Sequence, residues 1–365
     1  LGRFLRKEIF LFPLHSSIDN LKLIIMKKSF LLILFSASML IVGCISKSDS
    51  NFPVLKGDYL GQKLLSEKAE IFAPGIISTG MYERDIAVST DGNEIYYTLF
   101  MGDWNTIMFT QRVKGIWSEP VVASFARDTL FFFAEPALSA DGNKIFYLST
   151  KPRENEVAKP GWNNQNIWFA QRKDDGSWSE GTPLPNNINT HDEFYPSLTS
   201  DGSLYFCRTD DETGGSQILR SKFENGIYCD PEILPHPVNG TGNHFNAFIA
   251  PDNSYLVGCV AGRDSLNPHM ATYMLFFHNS DDTWTEGIDL IKELDLPCSN
   301  AISISLSPDG KYLFFASTNR IIRFQDIEPH WSLSGLRRRR VVHGNGNSDI
   351  YWLKFDEILA RLRTR

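Results

Sequence analysis

Five stretches of the chain share one pattern of apolar and polar positions. In each, an alternating run leads into a short turn, Asp91-Gly92, Asp141-Gly142, Asp201-Gly202, Asp252-Asn253 or Asp309-Gly310, and a second apolar-rich run follows. Alternation with a period of two puts every other side chain on one face of a strand. Three places ahead of the turn Asp stand Val88, Leu138, Leu198, Ile249 and Leu306, and five places ahead stand Ile86, Pro136, Pro196, Ala247 and Ile304, which together make an apolar face. Two places ahead, on the opposite face, stand the small residues Ser89, Ser139, Thr199, Ala250 and Ser307. An Asp-Gly pair between β-rich runs predicts a hairpin, because tight hairpin turns need positive φ, which Gly accepts freely and Asp or Asn tolerate.

The turns recur at intervals of 50, 60, 51 and 57 residues, so each marks one copy of a repeated unit. A third strand aligns at Thr106–Arg112, Asn166–Arg172, Gln217–Lys222, Thr272–Phe277 and Asp349–Lys354, and a fourth is expected to begin at Trp117, Trp178, Tyr228 and Trp284. The fifth unit has no such fourth segment. Near the other end, Leu65-Ser66-Glu67 followed by Ile71-Phe72 matches Trp117-Ser118-Glu119 followed by Val121-Val122, so an N-terminal strand is expected to complete the last sheet. Joining the ends hides the edges that an open stack would expose. The predicted fold is therefore all-β: a five-bladed β-propeller of four-stranded blades over residues 62–355, its ring closed by an N-terminal strand. A six-bladed ring is the alternative count and needs a degenerate blade. Residues 356–365 carry Ile358, Leu359 and Leu362 at helical spacing and predict a cap helix and tail.

Units of the form S-x-D-G-x-x-(I/L)-(Y/F)-F, then I-(W/Y), then W-S-E-P, resemble the WD40-like repeats of TolB-type propeller proteins of the bacterial envelope. The resemblance covers about residues 62–355. TolB-type propellers are commonly six-bladed, so a count of five departs from the prototype. Propellers host many functions, and the repeat speaks for fold rather than activity.

The N-terminal region changes the picture of where the protein acts. Residues 26–43 read Lys27-Lys28, an apolar run from Phe30 to Val42, and then a small residue, as a secretory signal does. The run is too short to span a membrane as a helix. Ile41-Val42-Gly43-Cys44 resembles the bacterial lipobox, which implies cleavage before Cys44, lipidation of that Cys, and a membrane-anchored lipoprotein of the cell envelope with a spacer over 44–61. No Asp directly follows Cys44, which favours the outer membrane without deciding the side. Residues 1–25 lie upstream of Met26 and read as over-extended translation.

The whole sequence carries 36 Lys and Arg against 43 Asp and Glu, a formal charge of −7, and the first 43 residues hold six of the bases and two of the acids. The remainder is thus more acidic still, which argues against nucleic acid as a partner. Cys207, Cys229, Cys259 and Cys298 lack metal-site spacing; an oxidising compartment would permit disulfides, yet Cys207 and Cys259 occupy equivalent strands, where a small buried hydrophobe suffices.

Six places before each turn Asp, the register puts one hydrogen-bonding side chain per blade at the start of the channel-lining strand: Asp85, Glu135, Tyr195, Asn246 and Ser303. Converging polar groups at a concave mouth make a candidate ligand site; the alternative is that they satisfy backbone groups at the strand starts. Glu83 and Glu193 stand two residues further back, so several carboxylates could gather at one opening. Such a set suits a sugar or Ca²⁺, and no other cofactor is expected. Trp104 and Trp162 precede equivalent third strands and offer flat faces for a sugar or peptide, or pack between blades. Arg337–Arg340 form a basic run in the last long loop, read as solvated or as touching anionic headgroups. No metalloprotease or serine-hydrolase motif is present. The expected activity is non-catalytic, a protein- or ligand-binding platform, with a glycan-active enzyme or an oligosaccharide-capture protein as the rival.

Overall fold

The turn Asp residues organise each hairpin through their side chains. In a computed structural model that describes residues 52–63, 67–263, 268–326 and 331–364, the Oγ of Ser89 and of Ser139 donates to Asp91 and Asp141 at 2.6 Å, and Ser307 donates to Asp309 at 2.7 Å. The same carboxylates accept the N–H two residues on, from Asn93, Asn143 and Lys311. Only the residue after the Asp adopts positive φ, at Gly92, Gly142, Gly202, Asn253 and Gly310. The Asp is thus a side-chain clamp within a wider turn, rather than half of a two-residue turn with both residues left-handed.

The strands, in chain order, are β1 (Glu70–Ile71); β2 (Glu83–Val88), β3 (Glu94–Phe100), β4 (Asn105–Val113), β5 (Ile116–Trp117) and β6 (Val121–Val122); β7 (Phe133–Leu138), β8 (Lys144–Ser149), β9 (Asn166–Gln171) and β10 (Thr182–Pro183); β11 (Glu193–Leu198), β12 (Leu204–Thr209), β13 (Ser216–Ser221), β14 (Phe223–Glu224), β15 (Ile227–Tyr228) and β16 (Glu232–Ile233); β17 (Asn243–Ile249), β18 (Tyr255–Ala261), β19 (Ala271–Phe277) and β20 (Ile288–Asp289); and β21 (Ile304–Leu306), β22 (Tyr312–Ser317) and β23 (Asp349–Lys354). They form five antiparallel four-stranded sheets: β2-β3-β4-β6, β7-β8-β9-β10, β11-β12-β13-β16, β17-β18-β19-β20 and β21-β22-β23-β1. Inner strands touch in the cyclic order β2, β7, β11, β17, β21 and back to β2, so the molecule is a five-bladed β-propeller. The last blade takes its outer strand from the other end of the chain, with Glu70 opposite Trp352 and Ile71 opposite Tyr351. Leu65 and Ser66 of the expected closing segment lie outside the described residues, as do Cys44 and segments 1–25 and 26–43.

Outer strands begin later than the Trp positions suggested. Trp117 is in the small ribbon β4-β5, and Trp178 and Trp284 make isolated bridges to Arg172 and His278, while β6, β10, β16 and β20 are two-residue strands further on. Each of these Trp side chains is buried and serves the packing between blades. Trp178 Nε1 donates to Tyr96 Oη at 3.0 Å, and Arg172 lies 4.1 Å above its ring while binding Glu94.

The core divides into five apolar clusters, one in each gap between neighbouring blades. Cys207, Cys259 and Cys298 are buried among them as free thiols, and Cys229 is half-buried and free. Val54–Arg365 constitutes one compact unit containing all five blades, their clusters and the closing strand, which is what a chain needs to fold as an independent body. Leu55 and Gly57 dock on Trp117 through their carbonyls, and Leu60 is buried where blades one and five meet. The helix Asp356–Arg363 buries Ile358 and Leu362 against the blade four and five cluster, and Arg361 pairs with Glu67 at 3.0 Å. No helix among the described residues is long and apolar enough to cross a membrane.

Candidate functional site

Every inner strand but the last is broken at the same point. The ladder slips between Arg84 and Ala87, Ala134 and Ala137, Phe194 and Ser197, and Phe245 and Phe248. Within each slip one residue takes left-handed φ: Asp85 (55°), Glu135 (60°), Tyr195 (53°) and Asn246 (48°). These are four of the five residues that the repeat register singled out. A bulge of this kind leaves a residue out of the ladder and re-aims its side chain. Holding non-glycine residues there costs about 1–3 kcal/mol each, which surrounding contacts must offset.

The freed N–H groups are met by side chains from adjacent blades. Ser303 Oγ accepts from Asp85 N–H at 3.1 Å, Thr98 Oγ1 from Glu135 N–H at 2.9 Å, and Glu135 Oε2 from Tyr195 N–H at 2.7 Å. Asn246 Nδ2 donates to the Ile302 carbonyl at 2.6 Å. Tyr195 reaches across the ring from blade three to blade five, where its Oη donates to the Ile304 carbonyl at 2.8 Å and accepts from Ile304 N–H at 3.0 Å. Tyr195 therefore bars the central channel.

Below this bar an open funnel of about 350 Å³ runs to the face that carries the Asp-Gly turns. Its walls are apolar, with Ile86, Val88, Pro136, Leu138, Pro196 and Leu306 among them, and exposed Thr90, Ala140, Ser200 and Pro251 form its rim. Asp85, Glu135 and Tyr195 close its deep end. Such a size and lining fall within the range of small-ligand pockets.

The deep end holds a compact charge cluster. Arg84 Nε donates to Asp85 at 2.7 Å, and its Nη2 lies 3.4 Å from Glu135. Burial first, and the neighbouring Asp85 next, push the Glu135 carboxyl up to about 8, against the opposing pull of Arg84. Burial thus favours the protonated form of Glu135 beside the Arg84–Asp85 ion pair. Asp85 Oδ2 is buried without a protein partner.

The other acidic candidates are not part of this cluster. Glu193 accepts from Thr190 and His191 N–H and pairs with Arg208 at 2.7 Å. Glu83 accepts from Thr79 N–H and its hydroxyl, and burial pushes its carboxyl up to about 7. Both bind loops of their own blades. Trp162 stacks on Phe100 at 5.4 Å and meets Phe132 edge-on at 4.9 Å, leaving 38% of it exposed. Trp104 is half-buried. Among the described residues, no three His, Cys, Asp or Glu side chains converge as a metal site requires.

Sequence reasoning overlooked Arg84, which stands one residue before the bulge and pairs with Asp85 and Glu135, and two asparagines. Asn189 Oδ1 accepts from Ile167 N–H, and its Nδ2 donates to the Ile167 and Leu184 carbonyls. Asn239 repeats the arrangement with Ile218 and Leu234. The recurrence of L-P-x-x-(I/V)-N at 184–189 and 234–239 was the available signal.

No protein-family model and no curated protein matches the sequence. Solved structures do. TolB from Acinetobacter baumannii is similar over 75% of this chain and 55% of its own, at 16% identity and a TM-score of 0.43. A Xanthomonas campestris gluconolactonase is similar over 84% of this chain and 95% of its own, at 11% identity and a TM-score of 0.42. Regucalcin from Agrobacterium tumefaciens, a calcium-binding protein, covers 77% of this chain and 92% of its own, at 9% identity and a TM-score of 0.42. The likeness is one of fold. This chain spans little more than half the length of the Acinetobacter TolB, and its neighbours include both enzymes and a binding protein.

Proposed function

We propose that the propeller is a non-catalytic binding platform whose ligand or partner group enters the funnel from the turn face. The observation that supports this most is the form of the funnel itself: apolar walls contributed by the inner strands, a hydroxyl-bearing rim, and a floor sealed by Tyr195, Asp85 and Glu135. A pocket built this way suits an apolar group offered end-on, and Asp85, which lines its deep end, keeps one buried carboxylate oxygen, Oδ2, without a protein partner. Glycan cleavage has less support, because Asp85 and Glu135 share one guanidinium and Glu193 is enclosed by its own loop. The same reading takes the chain as an envelope lipoprotein held in the outer membrane by lipidated Cys44.

Substitution at the rim tests this without touching the core. Ala140→Trp with Ser200→Trp, both exposed, is expected to block the mouth and leave the fold intact. Cross-linking the tethered protein in its own membranes should then yield a species captured by wild type and missing from the double variant. Identical capture by the two proteins, or turnover of a glycan by wild type, would refute the proposal.

A further inference from the structure

The long connection between β22 and β23 carries the helix Leu333–Arg340, where the sequence suggested an irregular basic loop. Ser332 starts it, its Oγ accepting from Gly335 N–H at 3.1 Å, and Leu and Arg are good helix formers. The underside rests on the propeller: Gly335 is buried and Arg339 half-buried. Asn345 Nδ2 donates to the Arg339 and Arg340 carbonyls at 3.2 and 3.4 Å and to Gly80 O at 2.9 Å, which fastens the helix end to the entry of blade one.

The outer side has an unusual composition. Leu333, Leu336, Arg337 and Arg340 recur at three- and four-residue spacing and share a face. Leu333 is 65% exposed and Leu336 47%, with Trp331 at 86% and Val341 at 67% flanking them. Four large apolar side chains and the exposed Arg337, Arg338 and Arg340 therefore stand out together on an otherwise acidic chain. Solvated basic loops do not need the apolar residues, and a protein-facing apolar patch does not need the arginines.

We propose that this helix docks the propeller on an anionic bilayer surface, with Leu333, Leu336 and Trp331 entering the headgroup region and Arg337 and Arg340 meeting lipid phosphates. Trp and Leu beside Arg make the composition of an interfacial helix, in which apolar burial and attraction to anionic lipid add. Eight residues make a helix about 12 Å long, too short to bind well alone. Here the Asn345 clamp and the Ser332 cap hold it folded beforehand, so little ordering cost opposes binding. The surface is independent of the funnel.

Flotation with vesicles tests the assignment, using the compact body of residues 54–365 so that the apolar run at 30–42 contributes nothing. Wild type is expected to float with vesicles containing phosphatidylglycerol and to stay behind with pure phosphatidylcholine. Arg337→Gln with Arg340→Gln should weaken partitioning about 30-fold, at about 1 kcal/mol per arginine. Leu333→Ser with Leu336→Ser should weaken it about 10-fold or more. All four positions are exposed or at the helix surface, and circular dichroism checks that each variant keeps its sheets. If the Leu variant floats like wild type and heparin competes as well as anionic vesicles do, the surface reads charge alone and the bilayer assignment is overturned. Absence of flotation with any vesicle overturns it as well, and leaves the funnel proposal untouched.

Discussion

Asp141 and Glu83 show opposite consequences of placing a carboxylate in this fold. The Ser139 hydroxyl and the Asn143 N–H hold the Asp141 carboxyl below its ordinary value, and Asp91 and Asp201 are lowered too, their hydrogen bonds outweighing partial burial. Groups shifted this way contribute stability above their unfolded value near 3.8, and that contribution is lost as pH falls through the folded values. Glu83, pushed up to about 7, and Glu135, pushed up to about 8, act in reverse: from the ordinary 4.5 upward the unfolded chain releases a proton that the folded chain retains. Stability should therefore be greatest in weakly acidic solution and decline towards pH 8. In melting curves across this range, Glu83→Gln is expected to flatten the decline between about 4.5 and 7, because Gln keeps the acceptor for Thr79 and cannot ionise. A wild-type melting temperature that climbs steadily from pH 5 to 8 would contradict this account.

Each blade is built from an inner hairpin that local chemistry defines and an outer part that its neighbours define. The hairpins were legible because the Ser-x-Asp-Gly pattern encodes both the clamp and the left-handed glycine within six residues. The outer strands were misjudged because each is only two residues long. In blades two and three the L-P-x-x-(I/V)-N segment fixes the outer strand, one amide capping the third strand of the same blade on both its N–H and C=O sides. Asn189→Ala and Asn239→Ala should each cost about 1–3 kcal/mol in denaturant unfolding, since each leaves the N–H of a buried Ile without its acceptor, while the Ile carbonyl keeps the N–H of Leu184 or Leu234. Asn189→Asp should recover little, because it can accept from Ile167 N–H but has no proton for the carbonyls. The bulges lay beyond sequence reading: no local signal marks Tyr195 or Glu135 as left-handed, and their partners Ile304 and Thr98 come from other blades.

Closure of the ring is the property on which the whole molecule depends, and a short strand near residue 70 provides it. Phe72 is fully buried, 5.2 Å from the Phe314 ring and 5.1 Å from that of Trp352, and its N–H donates to the Ile350 carbonyl at 2.8 Å. Phe72→Ala is expected to destabilise by about 3–5 kcal/mol and, by loosening β1 from β23, to expose a sheet edge that promotes self-association. Light scattering at several protein concentrations reads the second effect; a variant that scatters like wild type and is as stable would show that β1 does not hold the ring. The chain alone determined the repeat, the number of blades, the hairpins and the need for a closing strand, since these follow from periodicity and turn chemistry within one unit. Only the tertiary structure decided which polar residues face the channel and which are consumed. Asp85, Glu135 and Tyr195 meet at the floor while Glu83 and Glu193 turn back to their own loops, because a one-residue slip in a strand and the groups facing it across the ring set a side chain's direction, and neither leaves a trace in local sequence.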